Sequence, residues 1–178
     1  MKFNVTAAGA GAILGGIASG VLVKKIWLEK YRKQKAELAA AVRQRDLDYT
    51  WLLLRQRGAG VRSYFTAMGY ERVAILGMSR EGRLLAEELG SLAAYGAELD
   101  NPGAVHQTLT VFRLGDDPLP PADCMVICDL ERTPEKLEAA KGEFPGDIVT
   151  LTEVLAELLR RRGIERRDGA VPDWPPAG

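Results

Sequence analysis

The stretch from Arg72 to Leu89 constrains the fold of this chain more than any other part of the sequence. A short apolar run, Val73 to Leu76, meets Gly77, and a second glycine, Gly82, follows five positions later at the start of an amphipathic helix. This strand-turn-helix pattern is typical of the first βα unit of a dinucleotide-binding fold, in which helix N–H groups face a phosphate. The sequence therefore predicts an α/β domain.

The same turn departs from the G-x-G-x-x-G pattern at its middle glycine, which is Ser79. The middle glycine lets a pyrophosphate approach the backbone, so a side chain there argues against a bound dinucleotide. Arg80 and Arg83 lie at the predicted helix start, where they would offset part of an anionic ligand's repulsion. The candidate cofactor-binding residues of this turn are Gly77, Ser79, Arg80 and Gly82. We therefore expect the loop to keep its shape for folding reasons and to bind NAD(P) weakly or not at all.

The remainder of the domain alternates between strands and helices, which predicts a small parallel sheet with helices on its faces. The run from Cys124 to Asp129 is apolar on both faces, as a central parallel strand should be. Thr133 is predicted to cap a helix with Pro134 at its first position, and Thr152 to cap the last helix. The predicted strands are Val73–Gly77, Ala93–Asp100, Thr108–Leu114, Cys124–Asp129 and Asp147–Leu151, and the predicted helices around them begin at Val61, Arg80, Thr133 and Thr152.

The N-terminal part has a different composition. Val5–Val23 is a run of 19 residues without charge, about 28 Å long as a helix and close to the thickness of the hydrocarbon core. A basic cluster follows it within a dozen residues, which places the remainder of the chain in the cytoplasm by the positive-inside rule. The members of the cluster are Lys24, Lys25, Lys30, Arg32, Lys33 and Lys35. The sequence thus predicts a single-pass membrane anchor; the alternative, a cleaved signal peptide, would need its basic residues before the apolar run.

Small residues recur every four positions within the predicted anchor, and Gly11, Gly15, Gly16 and Gly20 lie on two adjacent stripes. Such small-xxx-small stripes let two membrane helices approach each other closely. Two interpretations remain open: a face for homo-oligomerisation, or a membrane helix that merely tolerates its glycines.

A long helix without Pro or Gly is predicted from Lys24 to Arg57, ended by Gly58 and Gly60. A strict heptad would place Lys35 and Arg45 in its seam, which argues against a stable coiled coil. We expect instead a stalk whose end, residues 49–54, docks onto the globular domain. The predicted organisation is an anchor over residues 1–23, a stalk over 24–57, a Rossmann-like domain over 58–162 and a disordered tail over 163–178.

The net charge of zero conceals an asymmetry. Residues 70–159 contain 17 acidic and 7 basic side chains, a net charge of −10, and the remainder of the chain balances them. A strongly acidic domain argues against nucleic acid as a partner.

Other chemistry is sparse in the sequence. The single histidine, His106, stands in a polar segment and is expected to face solvent, and Asp116-Asp117 is typical of a turn before Pro118. Cys124 and Cys128 would lie about 13 Å apart on one strand, too far for a disulfide, so we interpret them as buried and reduced. For Asp129 two interpretations stay open: a residue of the binding crevice, or a cap for the following helix. No catalytic residue and no metal site is predicted.

The stretch from Trp51 to Leu159 resembles the small Rossmann-like modules encoded among bacterial cell-surface polysaccharide genes, which are related to the NAD(P)-binding part of nucleoside-diphosphate-sugar epimerases and dehydratases. The matching segments are Trp51-Leu-Leu-Leu, Tyr64-Phe65 with Gly69-Tyr70, the glycine turn, Asp123-Cys-Met-Val-Ile and Leu151-Thr-Glu-Val-Leu. The resemblance implies Gly77 and Gly82 at a phosphate turn, and Asp100, 23 residues after Gly77, as a ribose-binding acid.

The chain departs from the catalytic members of that family because it lacks their Tyr-x-x-x-Lys pair in the domain; Tyr31 and Lys35 have the spacing only in the stalk. The resemblance therefore implies a membrane-anchored, non-catalytic nucleotide- or partner-binding accessory that acts with envelope-biosynthesis proteins. The alternatives are an NAD(P)-dependent enzyme acting on nucleotide sugars, and a scaffold that has lost ligand binding.

Overall fold

The computed structural model describes residues 9–100, 109–116, 118–130 and 132–164. The elements in chain order are α1 (Gly9–Gln56), α2 (Arg62–Ala67), β1 (Val73–Leu76), α3 (Arg80–Leu89), a 3-10 turn (Gly90–Leu92), β2 (Ala93–Glu98), β3 (Val111–Arg113), β4 (Cys124–Ile127), α4 (Thr133–Glu143), β5 (Asp147–Thr150) and α5 (Leu151–Arg161). The chain divides within α1 into two compact units, Met1–Gln44 and Arg45–Gly178.

The predicted α/β fold is confirmed as a five-stranded sheet in the order β3-β2-β1-β4-β5, with every neighbouring pair parallel. This is the order of the first five strands of a doubly wound Rossmann-type sheet. The central strands β1 and β4 are buried along their whole length, as strands covered on both faces must be.

Alternate residues of the central strands face two separate cores. Val73 and Ile75 pack with helices α2, α3, α5 and the end of α1, whereas Ala74 and Leu76 pack with Ala140 and other residues on the side of α4. The period-2 alternation of side chains in a strand produces this three-layer arrangement. Of the helices in the described part of the chain, α4 is the one that packs on the second face, together with Leu119 and Ala122 of the segment before β4.

The end of α1 docks onto the domain, as expected for residues 49–54, and it does so through one face of the helix. Leu47, Trp51 and Leu54 are buried in the core, whereas Tyr49 and Leu52 are more than half exposed. Trp51 Nε1 donates a hydrogen bond to Glu88 Oε2 on α3 at 2.6 Å. The tertiary hydrogen bond of Trp51 therefore selects the face that docks.

Two predicted helix caps are wrong. In α5 the cap is Thr150 and not Thr152: Thr150 Oγ1 accepts from Glu153 N–H at 3.2 Å, and Glu153 Oε2 accepts from Thr150 N–H at 2.7 Å. This reciprocal capping box satisfies two N–H groups that the helix itself leaves unpaired. In α4 the residue at the cap position is Arg132, and Thr133 instead donates its hydroxyl to the carbonyl of Asp129.

All five predicted strands are shorter in the structure: β1 ends at Leu76, β4 at Ile127 and β5 at Thr150, one or two residues before the predicted ends. β2 ends at Glu98 and not at Asp100, and β3 covers only Val111–Arg113. The predictions for His106, for Asp117 and for the tail beyond Ile164 fall outside the described residues. Gly163, predicted to open the tail, has a φ of +60° and ends α5, with its N–H bonded to the carbonyl of Arg160.

No helix within the described part of the chain is long and apolar enough to cross a membrane. The predicted anchor, Val5–Val23, begins before the first described residue, Gly9.

Candidate functional site

The candidate site lies at the carboxyl edge of the sheet, where the chain order of the strands reverses between β1 and β4. In open parallel sheets, ligands bind in the crevice at this switch point. The turn from Gly77 to Gly82 follows β1 directly and lies beside Asp129, which follows β4: a Cβ on Gly77 would be 3.3 Å from Asp129 Cβ. We call the region between these two segments the crevice.

The turn needs glycine at positions 77 and 82 for two different physical reasons. Gly77 has a φ of +97°, which side chains disfavour. A Cβ atom on Gly82 would lie 2.1 Å from the carbonyl oxygen of Gly77. Gly82 therefore lets α3 approach the end of β1, which is the packing function of the third glycine in a dinucleotide-binding fingerprint.

The residues between the glycines are bonded to the protein itself. Ser79 occupies the cap position of α3, but its Oγ donates to Glu81 Oε2 at 2.7 Å and makes no cap hydrogen bond. The N–H of Met78 donates to Glu98 Oε1 at 2.5 Å. Gly96 on β2 leaves room for the Met78 side chain, since a Cβ there would lie 2.8 Å from Met78 Sδ. The loop is thus folded onto the end of β2.

A buried lysine occupies the floor of the crevice. Lys136 on α4 has a side chain that is 3% exposed, and its Nζ lies 3.1 Å from Glu98 Oε2 and 3.3 Å from Asp129 Oδ2. A Cβ on Gly77 would approach the same ammonium group to 2.9 Å. We call Lys136, Glu98 and Asp129 the crevice cluster; it ties together the ends of β2, β4 and the start of α4.

Sequence reasoning did not identify Glu98 or Lys136 as site residues. A fingerprint of this type has an acidic residue at the end of β2, and in the structure that residue is Glu98. The predicted strand ends two residues later, so the pattern indicates Asp100 instead. Lys136 lies in the first turn of a helix whose start was recognised, yet nothing local indicates that its side chain turns inward.

Asp100 is held on the surface by a charged pair. Its carboxylate accepts from Arg132 Nη1 at 2.5 Å, and Arg132 also donates twice to Glu135. The hydrogen bond from Arg132 lowers the pKa of Asp100, and the same cation lowers the pKa of Glu135. Asp100 is therefore bonded to the start of α4.

The other predicted binding residue, Arg80, also pairs within the protein. Its Nη2 lies 3.1 Å from Asp48 Oδ2 at the end of α1. The structure thus brings Gly77, Ser79 and Gly82 to the crevice, while Arg80 and Asp100 are engaged by Asp48 and Arg132 on either side of it.

Asp129 makes contacts both toward the start of α4 and toward the crevice, the two positions between which the sequence left its role open. Its Oδ1 accepts from the backbone N–H of Arg132 at 3.2 Å, which stabilises the turn into α4, and its Oδ2 contacts Lys136 in the crevice. The residue is both a turn-forming acid and a wall of the site.

Both cysteines are buried and free, as the sequence predicts. Burial raises the pKa of Cys124 to about 12 and raises that of Cys128 as well. A thiol that stays protonated is a poor nucleophile, so neither cysteine adds reactive chemistry to the crevice.

Within the described ranges, no group of three or more His, Cys, Asp or Glu side chains is placed to hold a metal ion. Comparisons with protein-family models, with curated proteins and with solved structures give no match to this chain. The arrangement of the crevice is therefore the basis on which a function can be argued.

Proposed function

We propose that this chain is a membrane-anchored, non-catalytic accessory protein of cell-envelope polysaccharide metabolism, whose Rossmann-like domain binds a partner protein and does not turn over a nucleotide. The observation that supports the non-catalytic part is the crevice cluster. The metabolic setting comes from the resemblance of residues 51–159, and the anchor comes from the sequence of Val5–Val23.

The charges of the crevice oppose an anionic cofactor. Glu98 and Asp129 have side chains about a quarter exposed, whereas the Lys136 side chain between them is 3% exposed. A ligand that enters from solvent therefore meets carboxylate oxygens before it meets the ammonium group. A pyrophosphate would also have to displace Glu98 from the N–H of Met78, and that carboxylate already fills the hydrogen-bonding capacity a phosphate would use.

The surface between the end of α1 and α3 supports partner binding. It forms a groove of about 430 Å³ in which the exposed side chains of Leu52 and Leu84 lie beside Asp48, Arg55 and Glu87. Apolar side chains rimmed by charged ones are typical of protein-binding surfaces.

Nucleotide binding without catalysis is the second candidate, and the geometry of the turn favours it. The positive φ of Gly77 and the close approach of Gly82 are the backbone features that such a loop needs. The NAD(P)-dependent enzyme has less support, because the domain has no Tyr-x-x-x-Lys pair.

Calorimetric titration of the purified chain with NAD⁺, NADP⁺ and a nucleoside-diphosphate sugar separates these candidates. We expect no detectable binding at ligand concentrations up to about 1 mM. A dissociation constant of about 1 mM would correspond to a binding free energy of only about −4 kcal/mol. Ser79→Gly removes the side chain at the middle position of the turn but leaves the crevice cluster in place. We therefore expect that this variant does not bind these ligands either.

Ser91→Gly on the 3-10 turn is the matched control for a serine-to-glycine change outside the crevice. Micromolar binding by the unmodified chain would overturn the partner-binding proposal. Binding gained only in Ser79→Gly would identify a decayed cofactor site.

The anchor has its own test in cell fractionation. We expect the full chain to stay with membranes after carbonate extraction, and protease added outside intact cells to leave the domain uncut, because the basic cluster follows the apolar run. Recovery in the soluble fraction would remove the anchor from the proposal, and cleavage from outside would reverse its orientation.

A further inference from the structure

The first unit of the chain carries large apolar side chains that no described residue covers. From Trp27 to Arg43 no residue of α1 is buried. Leu28, Tyr31, Leu38 and Val42 are 40%, 55%, 66% and 39% exposed, and Trp27 stacks on Tyr31 with ring centroids 6.0 Å apart. An exposed helix normally presents polar side chains on all its faces, so this apolar content needs an explanation.

The positions of these side chains follow a heptad. Leu28, Tyr31, Lys35, Leu38 and Val42 are separated by three, four, three and four residues, the a and d spacing of a coiled coil. We call these five residues the seam. The same spacing continues in the sequence through Arg45 to Tyr49 and Leu52.

The remaining heptad positions are polar or small. At the b, c and f positions stand Glu29, Lys30, Lys33, Ala36, Glu37, Ala40, Arg43 and Gln44. Lys33 and Glu37 form an i,i+4 ion pair of 4.0 Å on that outer side of the helix, where both side chains are exposed. Between Leu28 and Gln44 the large apolar side chains therefore lie on one side of the helix, where Lys35 is the one charged residue at an a or d position, as pairing through one face requires.

The domain does not use the heptad positions for its own packing. In the second unit, Leu47, Trp51 and Leu54 contact the core, while the heptad positions Tyr49 and Leu52 remain 58% and 56% exposed. Docking of the end of α1 thus leaves its heptad positions available.

We propose that the seam pairs with the seam of a second copy of this chain, as a parallel, in-register two-stranded coiled coil. A heptad is complementary to its own copy, because each a or d side chain fits between four residues of the facing helix. Val42 at an a position beside Leu38 at a d position is the combination that favours two strands. A single lysine at an a position, here Lys35, fixes register and the number of strands while it weakens the pairing.

The seam from Leu28 to Val42 is about 21 Å long, at ~1.5 Å per residue. This length and the two facing Lys35 ammonium groups make the dimer weak and concentration-dependent. Replacement of Lys35 by an apolar residue should therefore strengthen the dimer. A helix that stays single in solvent would show no such change in association.

Sedimentation equilibrium of the full-length chain in mild detergent tests the pairing. We expect a monomer–dimer equilibrium in the unmodified chain, a dissociation constant raised at least about 100-fold by Leu38→Asp, and one lowered about tenfold by Lys35→Leu. Lys33→Leu on the outer side is the matched control for the second substitution and should leave the constant within about twofold. Far-UV circular dichroism shows that each variant keeps the fold of the domain.

An unmodified chain that stays monomeric at every concentration overturns the proposal. So does a dimer that Leu38→Asp leaves unchanged, because its contact would then lie outside the seam, for instance at the predicted glycine stripes.

Disulfide crosslinking tests the parallel register. Val42→Cys lies opposite its own copy in this arrangement and should form a disulfide-linked dimer under mild oxidation, whereas Arg43→Cys, one position further round the helix, should not. The native Cys124 and Cys128 are buried and do not compete. A dimer that forms without a Val42→Cys crosslink overturns the parallel arrangement.

Discussion

Gly82→Ala is expected to destabilise the domain by about 3 kcal/mol, the upper end of the usual range for overpacking, because the added atom meets backbone that must move. The added Cβ would lie 2.1 Å from the carbonyl oxygen of Gly77 and 3.4 Å from Ile75 Cγ2. The first contact is with backbone, so no side-chain rotation relieves it. Helix α3 would have to withdraw from β1 and would carry Leu85 and Leu89 out of the core.

Urea denaturation followed by far-UV circular dichroism measures this effect. The matched control is Gly142→Ala in α4, where a Cβ meets no atom within 4 Å; there the loss of glycine should stabilise the helix by about 0.5–1 kcal/mol. If the free energy of unfolding of Gly82→Ala lies within about 1 kcal/mol of that of the unmodified chain, the prediction is wrong, because α3 would then shift away from β1 at little cost.

Lys136→Met is expected to cost on the order of 3 kcal/mol, because it removes the cation between two carboxylates and leaves them facing each other. The methionine fills a similar volume, so the loss measures charge and hydrogen bonding more than packing. Glu98 and Asp129 are about a quarter exposed, and partial access to water keeps the cost at the low end of the range for a broken buried pair.

The control for this charge removal is Lys141→Met on the same helix. Lys141 pairs with Glu138 at 2.9 Å, but both side chains are more than half exposed, so the change should stay within about 0.5 kcal/mol. Adding Glu98→Gln and Asp129→Asn to Lys136→Met should recover part of the stability, because the amide oxygens can still accept from Met78 and Arg132 without charge repulsion. Equal stability of Lys136→Met and the unmodified chain would contradict the importance of the crevice cluster.

The glycines of the turn have a role in the fold that does not depend on a ligand. Gly77 and Gly82 serve the junction between β1 and α3, a packing requirement that persists whether or not a ligand binds. The glycine pattern is therefore evidence for the fold, and the charges around it decide what the crevice can accept.

Several features follow from the sequence because their causes are local. The bounds of α3 and the starts of β1, β2, β4 and β5 agree with the predictions, since an apolar run of four residues followed by a glycine turn leaves few other conformations. Where a helix joins two neighbouring strands, as α3 joins β1 to β2 and α4 joins β4 to β5, the pair is parallel because the helix returns the chain to the same end of the sheet.

Other features depend on residues that are far apart in the chain. Glu98 and Lys136 are 38 positions apart, and only the placement of β2, β1 and β4 side by side brings them together. The docking face of α1 is decided by Trp51 and its partner Glu88, 37 positions away, while the periodicity of α1 is compatible with either face. The cap of α5 is different, because Thr150 and Glu153 are only three positions apart and their capping box is a local pattern that the prediction of Thr152 missed. Most strands and helices are therefore readable from the sequence, since hydrophobic period and turn residues act within a few positions. Which charged side chains share one buried cluster follows from the packing of distant segments, because a buried charge needs a partner and the chain does not place these partners next to each other.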